Sequence, residues 1–314
     1  MAEKQRAPRN RTLTLDKETE QQMLKLCLSG ETELSAAHLQ DNVLFGDAFE
    51  WMPMLPQGFV DLLIVDPPYN LTKQYASRQF RRTDAAQYEE FTRRWIEAVK
   101  HTLKPNASIY VCCDWRSSMV IGRVLEEYFT LRNRITWQRE KGRGAAANYK
   151  NSMEDIWFAT VDGEKNYTFH ADAVRLRRRV IAPYRADGQP KDWQETAEGN
   201  FRDTAPSNFW DDITVPYWSM PENTDHPTQK PEKLLAKLIL ASSNKGDVVL
   251  DPFGGVGSTA VTAKKLGRHF VTIEREAEYC ALAQARLEKA EEDKTIQGYE
   301  DGVFWERNSK PSRK

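Results

Sequence analysis

Short apolar runs alternate with amphipathic segments along most of the chain. Apolar or β-branched runs of strand length occur at residues 42–45, 60–65, 107–113, 247–251 and 270–274. Their nearly continuous hydrophobicity is typical of strands that are covered on both faces. Segments with helical periodicity lie between them, at residues 88–103, 117–128, 231–241, 256–266 and 276–292. Strands interleaved with helices predict an α/β fold with a doubly wound, mostly parallel sheet.

Both ends of the chain and one internal segment depart from this pattern. Residues 1–40 predict an N-terminal unit, with a flexible polar arm over 1–14 and a helix over 15–40. Residues 162–225 are polar, rich in Arg, Trp, Asp and Pro, and poor in apolar repeats, which indicates an inserted, loop-rich region. Residues 296–314 predict a polar tail. The α/β domain is then expected to combine residues 41–161 and 226–295.

The composition excludes several classes of protein. With 40% hydrophobic and 11% aromatic residues in 314, the chain can form a core and does not resemble a disordered protein. The longest apolar runs are far shorter than the roughly 20 residues of a membrane span, and no signal-peptide pattern is present, so we expect a cytoplasmic protein with no membrane partner. The four cysteines have neither zinc-site nor disulfide-scaffold spacing, so no metal is predicted; they are Cys27, Cys112, Cys113 and Cys280.

Positive charge is concentrated in two segments, although the net charge is −1. Residues 132–150 carry six basic side chains and one acid, and residues 174–185 carry five arginines and no acid. Such clusters suit a phosphate backbone, whereas a solvated face is the alternative explanation for either run alone. The predicted nucleic-acid contacts from these segments are Arg139, Lys141, Arg143, Arg175, Arg177, Arg178 and Arg179.

The tetrapeptide Asp66-Pro67-Pro68-Tyr69 directly follows the predicted strand at residues 60–65. Two prolines fix φ and lack N–H donors, so the loop is stiff and presents carbonyl oxygens beside the Asp66 carboxylate. Such a loop favours a planar ligand with an amino group, whose hydrogens the oxygens accept while its ring stacks on Tyr69. The alternative is a strand-terminating turn that Asp66 caps.

A glycine-rich segment, residues 253–258, lies between the predicted strand at 247–251 and the next helix. Glycines there allow the backbone to approach a ligand closely at the carboxyl edge of a sheet. Glu274 follows about 20 residues later, where a carboxylate binds ribose hydroxyls in dinucleotide folds. Because the spacing matches neither the dinucleotide fingerprint nor a P-loop, we predict a nucleoside-type ligand, with an ordinary turn as the alternative.

Taken in this order, the two motifs resemble those of S-adenosylmethionine-dependent DNA amino-methyltransferases. The match is to the permuted, beta-class arrangement, in which the DPPY tetrapeptide precedes the FGG segment. This resemblance covers roughly residues 40–290 and implies a Rossmann-like methyltransferase sheet, completed by joining the C-terminal half to the N-terminal half in space. It also implies that residues 162–225 are the target recognition region.

The resemblance implies a role for individual residues. Asp66, Pro67, Pro68 and Tyr69 would be catalytic. Residues 226–231, the sequence HPTQKP, resemble the segment that cradles the methionine end of the cofactor. Residues 132–160 resemble the segment that lines the target-base pocket, where Trp137 and Glu154 would take part, together with Asn70. The implied cofactor contacts are Asp47, Thr228, Gln229, Lys230, Asp251, Phe253, Gly254, Gly255, Gly257, Ser258 and Glu274.

The implied reaction is methyl transfer from S-adenosylmethionine to the N6 amine of an adenine flipped out of double-stranded DNA. Adenine N6 is preferred over cytosine N4 because the family's N4 members more often carry Ser in place of the first Asp. Methylation of RNA or of a protein amide is a further alternative, as is a DNA-binding subunit without turnover. The resemblance leaves open a homodimer and a cognate restriction endonuclease.

Overall fold

A computed structural model describes most of the chain. The described residues are 7–30, 33–70, 73–75, 78–80, 83–139, 147–181, 184–197 and 199–307. The predicted contacts from Lys141 and Arg143 therefore lie outside the described residues.

Helices and strands alternate through the described residues. The α-helices are α1 (Lys17–Leu24), α2 (Ala36–Leu39), α3 (Ala48–Trp51), α4 (Ala85–Val99), α5 (Trp115–Tyr128), α6 (Glu232–Ser242), α7 (Ser258–Lys265) and α8 (Ala277–Glu292). Short 3-10 helices occur at Met52–Met54, Lys100–Thr102 and Ala171–Val174. The strands are β1 (Asn42–Phe45), β2 (Val60–Val65), β3 (Lys73–Tyr75), β4 (Arg78–Phe80), β5 (Leu103–Cys113), β6 (Thr130–Gln138), β7 (Met153–Thr160), β8 (Leu176–Arg179), β9 (Arg185–Ala186), β10 (Gln189–Pro190), β11 (Gln194–Thr196), β12 (Gly199–Thr204), β13 (Phe209–Trp210), β14 (Val248–Asp251), β15 (His269–Glu274), β16 (Tyr299–Glu300) and β17 (Val303–Trp305).

The central sheet has the strand order β1-β15-β14-β2-β5-β7-β6-β13. Its neighbouring strands are parallel, except where β7 pairs with β5 and with β6. Strands β14 and β15, from the C-terminal half of the chain, lie between β1 and β2. The predicted α/β class, with a mostly parallel sheet completed by both halves of the chain, is confirmed. None of the helices in the described ranges is long and apolar enough to cross a membrane.

Strand β2 shows why its sequence is apolar almost throughout. Leu63 and Val65 belong to the hydrophobic cluster that includes residues of α4 and α5. Leu62 and Ile64 point the other way, into the cluster that includes residues of α6, α7 and α8. Since successive side chains of a strand alternate between its faces, both faces of the sheet are covered by helices.

The described residues before β1, 7–30 and 33–41, are more firmly packed and less helical than predicted. The helix predicted over residues 15–40 is wrong in extent, because α1 ends at Leu24 and Leu28 forms a β-bridge with Leu44. The end of the predicted flexible arm is also held in place. The backbone N–H of Arg11 donates to the Trp218 carbonyl oxygen at 2.6 Å, and that of Leu13 donates to the Asn223 carbonyl oxygen at 2.8 Å.

A second sheet combines the inserted region with the C-terminal segment. Its strand order is β11-β12-β8-β17-β16, and β17 runs parallel to β8. Two strands, β16 and β17, therefore lie within the predicted polar tail. Phe304 on β17 is fully buried against Val174, Leu240 and their neighbours. The apolar run Val-Phe-Trp at 303–305 is the signal that the average polarity of the tail conceals.

Gly122 on α5 supports a stability prediction, because it lies against the indole of Trp157 on β7. A Cβ at residue 122 would come within 2.5 Å of Trp157 Cζ2. Alanine favours an α-helix by about 1 kcal/mol over glycine, yet we predict that Gly122→Ala lowers the free energy of unfolding by about 1–3 kcal/mol through overpacking. Urea denaturation measures the change. In a Trp157→Phe background the penalty should largely disappear, and an equal penalty in both backgrounds would contradict the steric explanation.

Candidate active site

A cavity of about 400 Å³ lies at the carboxyl ends of β1, β2, β14 and β15. Acidic residues at the end of each of these strands, or within two residues after it, line the cavity: Asp47, Asp66, Asp251 and Glu274. Ligand sites are common at this edge of parallel sheets, and the volume falls within the roughly 300–1,000 Å³ of small-molecule pockets. The tetrapeptide Asp66–Tyr69 and the glycine-rich loop, which come from distant parts of the chain, share this cavity.

The buried ammonium group of Lys230 contacts three side chains at this site. Its Nζ donates to Asp66 Oδ2 at 2.6 Å and to Tyr69 Oη at 3.0 Å, and lies 3.5 Å from Glu154 Oε2. The Tyr69 hydroxyl donates to Glu154 Oε2 at 3.2 Å, while Arg139 pairs with the other oxygen of Glu154. Asp66 Oδ1 is buried and has no hydrogen-bond partner among the described residues. It is therefore an acceptor available to a ligand.

The charges of this cluster follow from burial and from the two carboxylates. Burial alone would lower the pKa of Lys230, but the negative charges of Asp66 and Glu154 outweigh it and raise the pKa. Burial, with a contribution from Asp66, raises the pKa of Tyr69 well above its ordinary value. At neutral pH, Lys230 is therefore a cation and Tyr69 is a neutral phenol.

Two glycines of the glycine-rich loop pack closely against neighbouring residues of the protein. A Cβ at Gly254 would lie 2.0 Å from Thr272 Oγ1, so only glycine fits there. Gly257 has a φ of +69°, and a Cβ there would lie 2.7 Å from that of Ala283 on α8. Gly257 does not line the cavity, unlike the other predicted residues of this loop, which are Phe253, Gly254, Gly255 and Ser258. Its glycine is explained by packing against α8 rather than by ligand contact.

Glu274 and Asp47 place two carboxylates on the cavity wall. Glu274 accepts hydrogen bonds from the backbone N–H groups of Gly255, Arg275 and Glu276, each at 2.8 Å. Burial raises the pKa of Glu274, against these hydrogen bonds. Asp47 accepts from the Phe49 N–H at 2.9 Å and caps α3. A carboxylate has about four acceptor positions, so Glu274 can still accept a hydroxyl hydrogen from a ligand.

Three phenylalanines form an aromatic wall of the cavity: Phe49, Phe91 and Phe253. Their ring centroids lie 5.8 to 6.5 Å apart. Of these, only Phe253 was predicted, because Phe49 and Phe91 lie in helices whose sequences carry no ligand motif. The wall offers flat apolar surface to a planar ring.

Residues 226–231 form the loop that leads into α6. Within this loop, the Gln229 side chain makes its hydrogen bonds to other residues of the protein. Gln229 Oε1 accepts from the Thr224 N–H and hydroxyl, at 3.0 and 2.7 Å, while its Nε2 donates to the Glu222 carbonyl oxygen at 2.6 Å. The Gln229 amide therefore holds the loop together, although the residue lines the cavity. Thr228 and Lys230 line it as well.

Trp137 and Asn70, both predicted to contact the substrate, do not line the cavity. Trp137 is fully buried, and its indole N–H donates to the Ile213 carbonyl oxygen at 3.1 Å. The Asn70 amide donates to the Thr83 carbonyl oxygen at 2.9 Å and accepts from the Thr83 N–H at 2.7 Å. Both side chains have partners within the protein, so their positions are explained by packing and loop closure.

The arginines near β8 differ in how far their charge is already balanced. Arg177 donates two hydrogen bonds of 2.7 Å to Asp203 on β12. Arg175, just before β8, donates to Asp172 at 2.6 and 2.9 Å. Arg179 ends the strand with an exposed side chain and has no ion-pair partner in the described part of the chain. The positive charge of residues 174–185 is therefore partly neutralised within the protein.

Comparison with known proteins gives matches over most of the chain. Residues 60–285 match a family described as DNA methylase. The chain is 33% identical over 254 residues to the type II methyltransferase M.HpaI of Haemophilus parainfluenzae, covering 80% of this chain and 75% of the relative. It is 34% identical over 258 residues to the DNA adenine methyltransferase YhdJ of Escherichia coli K12, covering 79% and 83%. The crystal structure of the M1.HpyAVI–SAM complex has a TM-score of 0.55 at 26% identity, covering 78% of this chain and 98% of that one.

We predict that the buried carboxyl group of Asp251 makes the stability of the protein depend on pH. Its side chain accepts from the Phe253 N–H at 3.1 Å and from the Thr259 hydroxyl at 2.6 Å, and burial raises its pKa to about 7. The unfolded carboxyl titrates near pH 4, so the stabilisation from the protonated form is complete below about pH 4 and is lost as pH rises to about 7.

An Asp251→Asn variant should not show this loss, because the amide can accept from Phe253 and donate to the Thr259 hydroxyl. Relative to wild type, the variant should gain stability as pH rises from 4 to 7, by at most about 1.4 kcal/mol per pH unit. Urea denaturation at several pH values measures the difference. A difference that stays constant over this range would contradict the buried, proton-binding carboxyl.

Proposed function

The chain belongs to the DNA methylase family and is a DNA amino-methyltransferase that uses S-adenosylmethionine; from this premise, we propose that it methylates the N6 amine of adenine within a specific sequence of double-stranded DNA. The observation that carries the proposal is Asp66 Oδ1, a buried acceptor without a partner among the described residues, at a stiff proline corner in a nucleoside-sized cavity. An exocyclic amine has N–H groups that can donate a hydrogen bond to this oxygen.

The residues of the cavity fit the proposed cofactor. Glu274 would bind the ribose hydroxyls, the phenylalanine wall would contact the purine, and the backbone at Gly254 and Gly255 would allow close approach. Asp47 and Thr228 would complete the polar contacts. When bound, S-adenosylmethionine supplies a methyl group on a sulfonium, which is electrophilic enough to need no activated protein nucleophile.

Asp66 and Pro67 would act on the target amine. The amine's lone pair is delocalised into the base, so it is a weak nucleophile. Hydrogen bonds from its two N–H groups to Asp66 Oδ1 and to the Pro67 carbonyl oxygen would favour a tetrahedral nitrogen with a localised lone pair. The base must leave the duplex to reach this position, and Tyr69 would stack against it. Asp66 Oδ1 would then lie beside the N–H that must lose a proton when the nitrogen–carbon bond forms and the sulfur–methyl bond of the sulfonium breaks, leaving a neutral thioether.

Two lines of support favour adenine N6 over cytosine N4. Asp66 occupies the position where N4 members more often carry Ser, and the relative YhdJ, 34% identical, is named a DNA adenine methyltransferase. Residues 162–225 are proposed as the target recognition region, within the domain boundaries given above. A homodimer, a cognate restriction endonuclease and a cytoplasmic location stay proposals for this chain.

The proposal predicts that Asp66→Ala abolishes methyl transfer while S-adenosylmethionine binding survives, because Asp66 acts on the amine. Mass spectrometry of nucleosides from methylated DNA measures both the extent of transfer and the base modified. Glu291→Ala, which changes an exposed carboxylate on α8 outside the cavity, should remain active. Near-normal turnover of Asp66→Ala would refute the assigned role, and N4-methylcytosine as the wild-type product would refute adenine as the target.

A second prediction concerns the phosphate contacts. Arg178 lies 3.5 Å from Glu306 and 3.6 Å from Asp211, which are looser pairs than that of Arg177. We predict that Arg178→Ala combined with Arg179→Ala weakens DNA binding. The negative slope of log affinity against log salt should become shallower by about 1 per lost phosphate contact.

Titration of a labelled duplex at several salt concentrations gives this slope. Lys264→Ala, which changes a cation paired with Glu291 and located on α7, serves as the control and should leave the slope unchanged. An unchanged slope in the double variant as well would remove the phosphate-contact role of this strand.

A further inference from the structure

Lys230 has a different environment from the one that the HPTQKP resemblance implies. A lysine that holds the cofactor would direct its ammonium group toward the ligand. Here the ammonium group donates to Asp66 Oδ2 at 2.6 Å and to Tyr69 Oη at 3.0 Å, both in the catalytic tetrapeptide. Lys230 and Asp66 are 164 residues apart in the chain, so only the fold brings them together.

We propose that Lys230 is a positioning residue for methyl transfer: its ammonium group holds one oxygen of Asp66, so that the other oxygen is presented to the target amine. This inference rests on the proposed function. It assigns Lys230 to the orientation of the catalytic carboxylate rather than to cofactor binding.

The two oxygens of Asp66 support this role because their surroundings differ. Oδ2 accepts a short, charge-assisted hydrogen bond from Lys230, whereas Oδ1 is buried and has no partner in the described residues. Rotation of the carboxylate would exchange the oxygens only by breaking the bond to Lys230. Since charge-assisted hydrogen bonds are roughly twice as strong as neutral ones, the bond selects one orientation.

Lys230 is itself held from two sides. Its ammonium group lies 3.5 Å from Glu154 Oε2, and Arg139 pairs with the other oxygen of Glu154. Two cations and two carboxylates thus balance within the cluster. On the backbone side, the Gln229 amide fastens the preceding loop to Thr224. The position of Nζ is therefore determined by contacts that do not include the substrate.

Lys230 acts as a fixed cation and not as a base. The carboxylates of Asp66 and Glu154 raise its pKa despite burial, so at neutral pH it has no lone pair with which to accept the amine's proton. Asp66 Oδ1 is the carboxylate oxygen beside the proposed position of the amine. An amine that is misplaced by about 1 Å can cost roughly 100-fold in rate.

The test compares Lys230→Met with Lys237→Met in the full-length protein. Lys237 is an equally buried lysine on α6 that donates to Asp212 Oδ1 at 2.7 Å and does not line the cavity. For each variant, calorimetry measures S-adenosylmethionine affinity without DNA. Rapid-quench experiments then measure the single-turnover methylation rate at saturating cofactor and DNA.

We expect Lys230→Met to bind S-adenosylmethionine within about threefold of wild type, while its single-turnover rate falls about 100-fold. Lys237→Met should match wild type in both. A tenfold or greater loss of cofactor affinity with a normal single-turnover rate would overturn the inference and assign Lys230 to the cofactor. Unchanged affinity and unchanged rate would show that Lys230 has no role in the transfer.

A double-mutant cycle separates positioning from a general structural defect. In an Asp66→Asn background, Lys230→Met should cause little further loss of the single-turnover rate, since both substitutions act through one carboxylate. Fully additive losses would contradict the proposal.

Two further comparisons separate a folding defect and a failure of the proposed function from a failure of the inference about Lys230. If Lys230→Met does not fold, Lys230→Gln removes the charge while keeping a polar side chain, and the same predictions apply to it. If wild type itself transfers no methyl group to DNA, the proposed function fails. If wild type is active and the Lys230 variants match it, only the inference about Lys230 fails.

Discussion

The site depends on four parallel strands that end at one edge of the sheet. Each of β1, β2, β14 and β15 delivers an acidic side chain to that edge, and loops of different length follow them. Burial there raises the pKa of Asp251 to about 7 and also raises that of Glu274. A single cavity therefore combines the aromatic wall with an oxygen of Asp66 that has no partner among the described residues, because the sheet imposes their proximity.

Much of this arrangement could be predicted from local sequence. The continuous apolar runs identified the strands of the parallel core, because burial on both faces leaves a strong signal. Asp66 and Glu274 were placed at strand ends by the same runs, and the convergence of their loops then followed from the topology. Strands β6 and β7 were not predicted, since polar and charged residues interrupt their apolar positions.

What could not be predicted from local sequence are contacts between distant residues. Nothing within the HPTQKP segment indicates that Lys230 pairs with Asp66, because the pairing depends on how α6 packs on the sheet. Charge counting treated Arg177 as free, whereas Asp203 on the neighbouring strand already binds it. Trp137 was predicted at the pocket from its place in a motif-like segment, but its indole is buried in the core. In each case the partner is far away in sequence.

The most direct test of this account is a crystal structure with a target duplex and a non-reactive analogue of S-adenosylmethionine. We predict that the N6 amine of the flipped adenine donates a hydrogen bond to Asp66 Oδ1 while Asp66 Oδ2 remains bound to the Lys230 ammonium group. A complex in which Lys230 turns to the cofactor and Asp66 binds the amine through Oδ2, or not at all, would contradict it.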